Sequence, residues 1–180
     1  MKVVAIVGMA GSGKSEVARE FEKAGFFRIR FGDITDIELK KLGLPSTEAN
    51  EVKIREQLRQ EHGMSVYAKL NIPRIDSALQ KSNVVIDGLY SWEEYLLLKP
   101  YYKDNLVLVA VCASPETRQS RLAKRVVRPL TMQESEARDK AEIENSNKGG
   151  PIAMADYTLV NEGALADLIK QTTKVIEKLK

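Results

Sequence analysis

The run Val3-Val4-Ala5-Ile6-Val7 followed by Gly8-Met9-Ala10-Gly11-Ser12-Gly13-Lys14-Ser15 decides the fold. Its first part is uninterrupted, apolar and largely β-branched, as expected of a strand buried on both faces of a parallel sheet. The second part fits G-x-x-x-x-G-K-[ST] at every fixed position and stands between that strand and a predicted helix, the context the motif needs. Glycines let backbone N–H groups converge on phosphate oxygens, and the helix N-terminus adds positive potential. Lys14 then reaches the β and γ phosphates and Ser15 offers Mg²⁺ a hydroxyl. Gly8, Gly11, Ser12, Gly13, Lys14 and Ser15 are therefore predicted to hold a nucleotide, with ATP and Mg²⁺ implied. A plain glycine turn is the competing reading, but background frequencies give such a match in roughly one chain in a hundred or fewer.

Outward from this stretch, Val17, Ala18, Phe21 and Ala24 recur at helical spacing, and Gly25 supplies a stop before a strand-like run at 26–31. There Arg28 and Arg30 alternate with Phe27, Ile29 and Phe31, so one face is polar, which suits a sheet edge. Residues 33–81 read as helix broken at 43–46, at Gly63 and at Pro73, with no strand. Buried strands are predicted at 84–86, ending in Asp87-Gly88, and at 106–111, with a helix at 92–99 between them. Ser114, Pro115 and Glu116 open a helix predicted to run through Arg118, Arg121 and Arg125 until Pro129 interrupts it. Thr131 and Glu134 have capping-box spacing and start another helix. That helix decays into Asn145-Ser146-Asn147-Lys148-Gly149-Gly150-Pro151, whose composition predicts a mobile loop. A strand at 157–160 and an amphipathic helix marked by Leu165, Leu168, Ile169, Thr172, Ile176 and Leu179 close the chain. Strands alternating with helices specify an α/β domain with a parallel sheet, whose ligands bind beyond the carboxyl ends of the strands.

The chain has 180 residues, the scale of one domain. Its 28 basic and 25 acidic residues leave a net charge of +3, too small to imply nucleic acid or membrane binding. One cysteine, Cys112, cannot form an internal disulfide, and a single histidine, His62, leaves little for a zinc site or a histidine-based triad. No apolar run reaches the ~18 residues of a membrane span, so the expected location is the cytoplasm. Asp87, at a predicted strand end beside the loop strand, is where a second Mg²⁺-organising group would stand; a helix cap or turn aspartate is the alternative. A GTP-dependent switch is disfavoured, because no aspartate starts Asp-x-x-Gly and Asn147-Lys148 runs into Gly149-Gly150 without the aspartate that would read guanine.

The phosphate loop, Gly32-Asp33, the segment ending Asp87-Gly88, Ser114-Pro115-Glu116-Thr117 with its arginines, and the stretch from Ala155 to Gly163 together resemble one family. It is that of the archaeal adenylate-kinase-related proteins, also described as dephospho-CoA-kinase-like. The resemblance spans nearly the whole chain and implies an α/β nucleoside monophosphate kinase fold, a five-stranded parallel sheet with helices on both faces. It implies a single P-loop kinase domain with a core of 1–32, 82–117 and 151–180, an acceptor-binding helical region at 33–81 and a lid at 118–150. In such kinases lid arginines clamp the transferring phosphate, and Arg118, Arg121 and Arg125 match by position, with Arg128 and Arg138 as weaker candidates. Their spacing of three and four puts Arg118, Arg121 and Arg125 on one helical face, and guanidinium groups suit phosphoryl oxygens. A solvated basic face is the alternative; nucleic acid is disfavoured because no aromatic residues interleave. Asn161 and Gly163 resemble the loop that borders adenine.

Two departures bear on the acceptor. Adenylate kinases carry arginine four residues after the glycine of the Gly-Asp element and two beyond the Asp-Gly element; Asp36 and Tyr90 stand there. Arg28, Arg30, Arg55, Arg59 or Arg74 could substitute. Asp33 separates the acceptor classes: beside a phosphate it would only cap a helix or hold a nucleoside, whereas beside a hydroxyl it could take the proton. The expected activity is ATP- and Mg²⁺-dependent transfer of the γ-phosphoryl to a nucleoside monophosphate such as AMP. The alternatives are a kinase for a hydroxyl acceptor such as dephospho-CoA, and a nucleotide-binding sensor or accessory ATPase working with RNA or a protein partner.

Overall fold

The computed structural model describes residues 1–126 and 129–179. Five parallel strands, β1 (Val3–Val7), β2 (Phe27–Arg30), β3 (Val84–Asp87), β4 (Leu106–Cys112) and β5 (Tyr157–Val160), form one sheet in the order β2-β3-β1-β4-β5. The half-polar β2 lies at an edge as its alternation predicts, with Ile29 buried and Phe27 exposed.

Because side chains alternate along a strand, the sheet builds two cores. On one face Val3, Ala5, Val7, Ile86 and Leu108 pack against α2 (Asp33–Lys41), α3 (Glu48–His62), α4 (Val66–Leu79) and α5 (Trp92–Tyr102). On the other, Val4, Ile6, Val85, Val109 and Val111 meet Val17, Ala18 and Phe21 of α1 (Lys14–Lys23) and Leu168, Val175 and Ile176 of α9 (Leu165–Leu179). The chain leaves β1 past β3 toward β2 and later returns on the other side of β1 to β4, so the crevice beyond β1 is the switch point where such sheets bind ligands. Register brings the chemistry there, since Ile6 of β1 and Arg30 of β2 both pair with Asp87 of β3.

Three expectations are corrected. Pro73 does not break a helix: α4 runs through it, held by the buried Tyr67, Ala68 and Ile75, while the break at Gly63 does separate α3 from α4. The helix after Ser114, α6 (Pro115–Ala123), stops before Arg125. The segment predicted to be mobile after α7 (Met132–Glu144) instead folds back as α8 (Gly149–Ala153), with Ser146, Lys148 and Pro151 buried. The glycine that read as a loop former is there for close approach, because a Cβ on Gly150 would lie 2.6 Å from the Trp92 ring.

The turn from β3 into α5 is fixed by Ser91. Its Oγ accepts from the Glu94 amide at 3.1 Å and donates to Met64 O at 3.1 Å, while the Glu94 carboxylate accepts from the Tyr90 and Ser91 amides. Ser91→Ala removes both the cap and the tie to the α3–α4 connection and should cost about 1–2 kcal/mol in urea unfolding. An unchanged midpoint would show that neither contributes.

Candidate active site

The loop from Gly8 to Gly13 connects β1 to α1, and its backbone needs glycine. Gly13 has φ 105°, and a Cβ there would collide with the Asn161 side-chain amide; a Cβ on Gly8 would collide with Val111 O. Asn161, at the end of β5, donates from Nδ2 to Ser12 O at 2.8 Å, so the strand on the far side of β4 pins the loop. Its own carbonyl and Oδ1 accept from the Arg121 guanidinium at 2.8 and 3.3 Å. A cleft of about 350 Å³ opens beside the loop, lined among others by Gly11, Lys14, Ser15, Arg121, Arg125 and Gly163.

Ser15 Oγ donates to Asp87 Oδ1 at 3.2 Å, a hydroxyl and a carboxylate meeting beside the lysine of the loop. This donor set fits Mg²⁺, a hard cation that takes oxygen ligands and few protein groups. Arg28 holds the other oxygen, Oδ2, at 2.5 Å, which orients Asp87. Lys14 is half-buried and its Nζ donates to Met9 O at 2.9 Å. Burial pushes the ammonium down to about 7, with Lys148 and Arg138 adding to the shift and Glu142 and Asp87 opposing it.

The arginines separate by role. Arg118 is 5% exposed: Nε donates to Ala113 O, and Nη1 to Ala10 O and, at 2.6 Å, to Asp139. It ties α6 and α7 to the loop, a different contact from the phosphate clamp expected of it. Arg121 and Arg125 do reach the cleft. Arg128 lies outside the described residues. Arg138 faces Glu48 at 3.3 Å and Glu142 at 3.4 Å.

On the acceptor side, Asp33 lies in the first turn of α2 and its side chain does not cap that helix; it pairs instead with Arg74 at 3.2 Å and Arg30 at 3.4 Å. Arg30 also reaches Asp36 at 3.7 Å, and Arg55 is held by Glu48 and Glu51. Arg59 differs: its Nε is buried without a hydrogen-bond partner, and its guanidinium lies over Tyr67, 5.9 Å from the ring centroid. Tyr90, where an arginine is usual, is a partly buried phenol whose pKa burial raises, with Asp87 and Glu94 adding to the effect.

Sequence reading missed Glu94, Glu142 and Lys148. Glu94 is fully buried with Oε1 unpartnered, and burial pushes it up to about 7 against the Tyr90 amide and Arg59. Glu142 accepts from the Ala10 amide at 3.1 Å and from Lys148 at 2.9 Å. Burial alone would raise its pKa, but Lys148, Lys14 and Arg138 hold it down to about 2. The capping box at Thr131 and Glu134 was the available signal for α7, yet nothing local marks which of its faces meets the loop. No cluster of metal-binding side chains of the zinc kind occurs among the described residues, and no helix among them is long and apolar enough to cross a membrane.

A family model described as an AAA domain matches residues 4–145. A UPF0200 protein of Thermococcus kodakarensis is 38% identical over 181 residues, covering 98% of this chain and 97% of that one. A UPF0200 protein of Hyperthermus butylicus is 34% identical over 98% of this chain and 94% of the relative. The chain belongs to the UPF0200 family. Among solved structures it is similar to a gluconokinase from Sinorhizobium meliloti, with TM-score 0.61 and 15% identity, covering 99% of this chain and 93% of that one. A shikimate kinase from Acinetobacter baumannii in complex with shikimate gives TM-score 0.61 and 17% identity, covering 100% and 95%. At these identities the likeness shows the fold, an α/β P-loop fold shared with small-molecule kinases.

A bound polyphosphate favours the charged form of Lys14. With the empty-site pKa near 7, the folded protein above that pH lacks a proton that its nucleotide complex holds. Nucleotide binding at pH 8 should therefore take up about one proton and weaken as pH rises further. Calorimetry in buffers of different ionisation enthalpy measures the uptake; proton-neutral binding at pH 8 would mean that Lys14 is already charged in the empty site.

Proposed function

We propose that the chain is an ATP- and Mg²⁺-dependent phosphotransferase acting on a small anionic acceptor, with a nucleoside monophosphate such as AMP as the first reading. The observation that carries it is the meeting of Ser15 Oγ with Asp87 Oδ1 beside the half-buried Lys14, at the mouth of an open glycine loop. In this reading the loop amides and Lys14 hold the donor phosphates, Asn161 and Gly163 border the base, and Arg121 and Arg125 face the donor from α6 and the residues after it. Arg118 acts indirectly by fixing the loop against the lid. Ser15 and Asp87 would hold Mg²⁺, which when bound neutralises charge on the β and γ oxygens. An acceptor oxygen attacks the γ phosphorus, the bond from that phosphorus to the β-phosphate oxygen breaks, and ADP leaves.

The anionic acceptor is supported by a row of cations leading away from Lys14. Lys148 is coupled electrostatically to Lys14, and Arg59 to Lys148. Arg59, with its unpartnered Nε, takes the part that the missing arginines at Asp36 and Tyr90 would have had. A hydroxyl acceptor such as dephospho-CoA is favoured by one other observation: Asp33, held between Arg30 and Arg74, is a fixed carboxylate able to receive a proton.

Purified protein is incubated with ATP and Mg²⁺ and, separately, each nucleoside monophosphate and dephospho-CoA, and the products are separated by chromatography. A nucleoside diphosphate or phosphorylated dephospho-CoA is the expected product. Lys14→Ala should lower its formation by about 10²–10³, the scale for losing one preorganised transition-state contact. Asp33→Asn should abolish transfer to a hydroxyl and leave transfer to a phosphate largely intact. Product formation undiminished in folded Lys14→Ala would overturn the site.

A further inference from the structure

One carboxylate in this molecule occupies a place built for a different anion. Glu142 Oε2 accepts from the Ala10 amide at 3.1 Å and from Lys148 Nζ at 2.9 Å, while Oε1 faces Arg138 Nε at 3.4 Å. A loop amide, an ammonium and a guanidinium are the donors that bind phosphoryl oxygens. The nucleotide cleft is lined by Gly11, Gly13, Lys14 and Ser15, residues on the α1 side of the loop. Ala10 stands on the other side, and its amide turns to α7.

The cations here go beyond what a structural tie requires. Lys148 is 3% exposed, lies over the Tyr90 ring at 5.6 Å from the centroid, and its charge disfavours that of Lys14. Lys148, Arg138 and, when protonated, Lys14 gather around Glu142, and the other carboxylate here, Glu48, is shared between Arg138 and Arg55, so the cations are left short of negative charge. A group with more negative charge and more oxygens than a carboxylate would satisfy them better.

We propose that Glu142 is a placeholder for a phosphoryl group, and that Lys148, Arg138 and the Ala10 amide form the subsite that takes this group when substrate displaces the carboxylate. The group is either the donor's terminal phosphoryl or the acceptor's phosphate. The proposal rests on the phosphotransferase reading and assigns Lys148 as a catalytic residue on the α7–α8 segment.

The test measures binding of Mg-ADP and of Mg-AMP-PNP, the latter carrying a terminal phosphoryl, and of AMP with ADP present, in wild type, Glu142→Gln and Lys148→Gln. If the donor's phosphoryl is the occupant, Glu142→Gln tightens AMP-PNP at least about fivefold and leaves ADP unchanged. Lys148→Gln weakens AMP-PNP selectively. If the acceptor's phosphate is the occupant, the same changes appear for AMP instead. A merely structural pair would shift ADP, AMP-PNP and AMP together, and that result overturns the proposal, as does unchanged binding of all three. Should a single variant fail to fold, Glu142→Gln/Lys148→Gln leaves no stranded charge; it is expected to lose the wild-type preference for AMP-PNP over ADP, or the wild-type binding of AMP. Retention of both would overturn the subsite. Wild-type protein that binds neither ADP nor AMP-PNP would instead overturn the phosphotransferase reading itself, and this proposal with it.

Discussion

A glycine loop that points backbone N–H groups at an anion has positive potential it cannot discharge internally, and most of the arrangement around residues 8–15 answers to that constraint. The N-terminus of α1 adds its dipole to the same place. Lys14 turns back onto Met9 O, and Ser12 Oγ is buried without a partner. Glu142, from a helix more than a hundred residues further along, brings the nearest compensating charge to the Ala10 amide. The position of α7 is thus tied to the electrostatics of the loop, and so is that of α8, since Lys148 binds the same carboxylate.

The sheet order explains why so few residues suffice. With β3 and β2 stacked to one side of β1, Asp87 pairs in register with Ile6 on one side and Arg30 on the other, placing the carboxylate between Ser15 and Arg28. With β4 and β5 on the opposite side, Asn161 arrives under the loop and hands its remaining acceptors to Arg121. Groups from both edges of the sheet therefore converge on the loop.

What could be read from the sequence follows from how local the causes are. The phosphate loop, the buried strands and the closing amphipathic helix depend on neighbours within a few residues, and the structure has them where the patterns put them. The half-polar alternation of β2 also identified a sheet edge, because only an edge tolerates Arg28 and Arg30 on one face. The arginines of α6 and the turn after it show the limit. Three and four residues apart, Arg118, Arg121 and Arg125 look equivalent, yet Arg118 is taken by Asp139 on another helix and Arg121 by Asn161 at a strand end. Nothing within the helix distinguishes them. The segment from Asn145 to Pro151 failed for a similar reason: its composition is that of a loop, and what orders it is the distant Trp92 ring over Gly150 and Glu142 at Lys148.

The same nonlocality makes the α7–α8 segment sensitive to charge. A carboxylate carries one negative charge, and a terminal phosphoryl or phosphate monoester about two with three acceptor oxygens. Arg138, Lys148 and the Ala10 amide can thus be engaged in the empty protein and again around substrate, with little rearrangement of the donors themselves. What changes is the tether. Glu142 is covalently part of α7, so in the proposed exchange its displacement frees that helix from one link to the loop. The link through Arg118, between Asp139 and Ala10 O, stays in place. A segment that keeps one anchor while exchanging the other can move for substrate without losing its register on the phosphate loop.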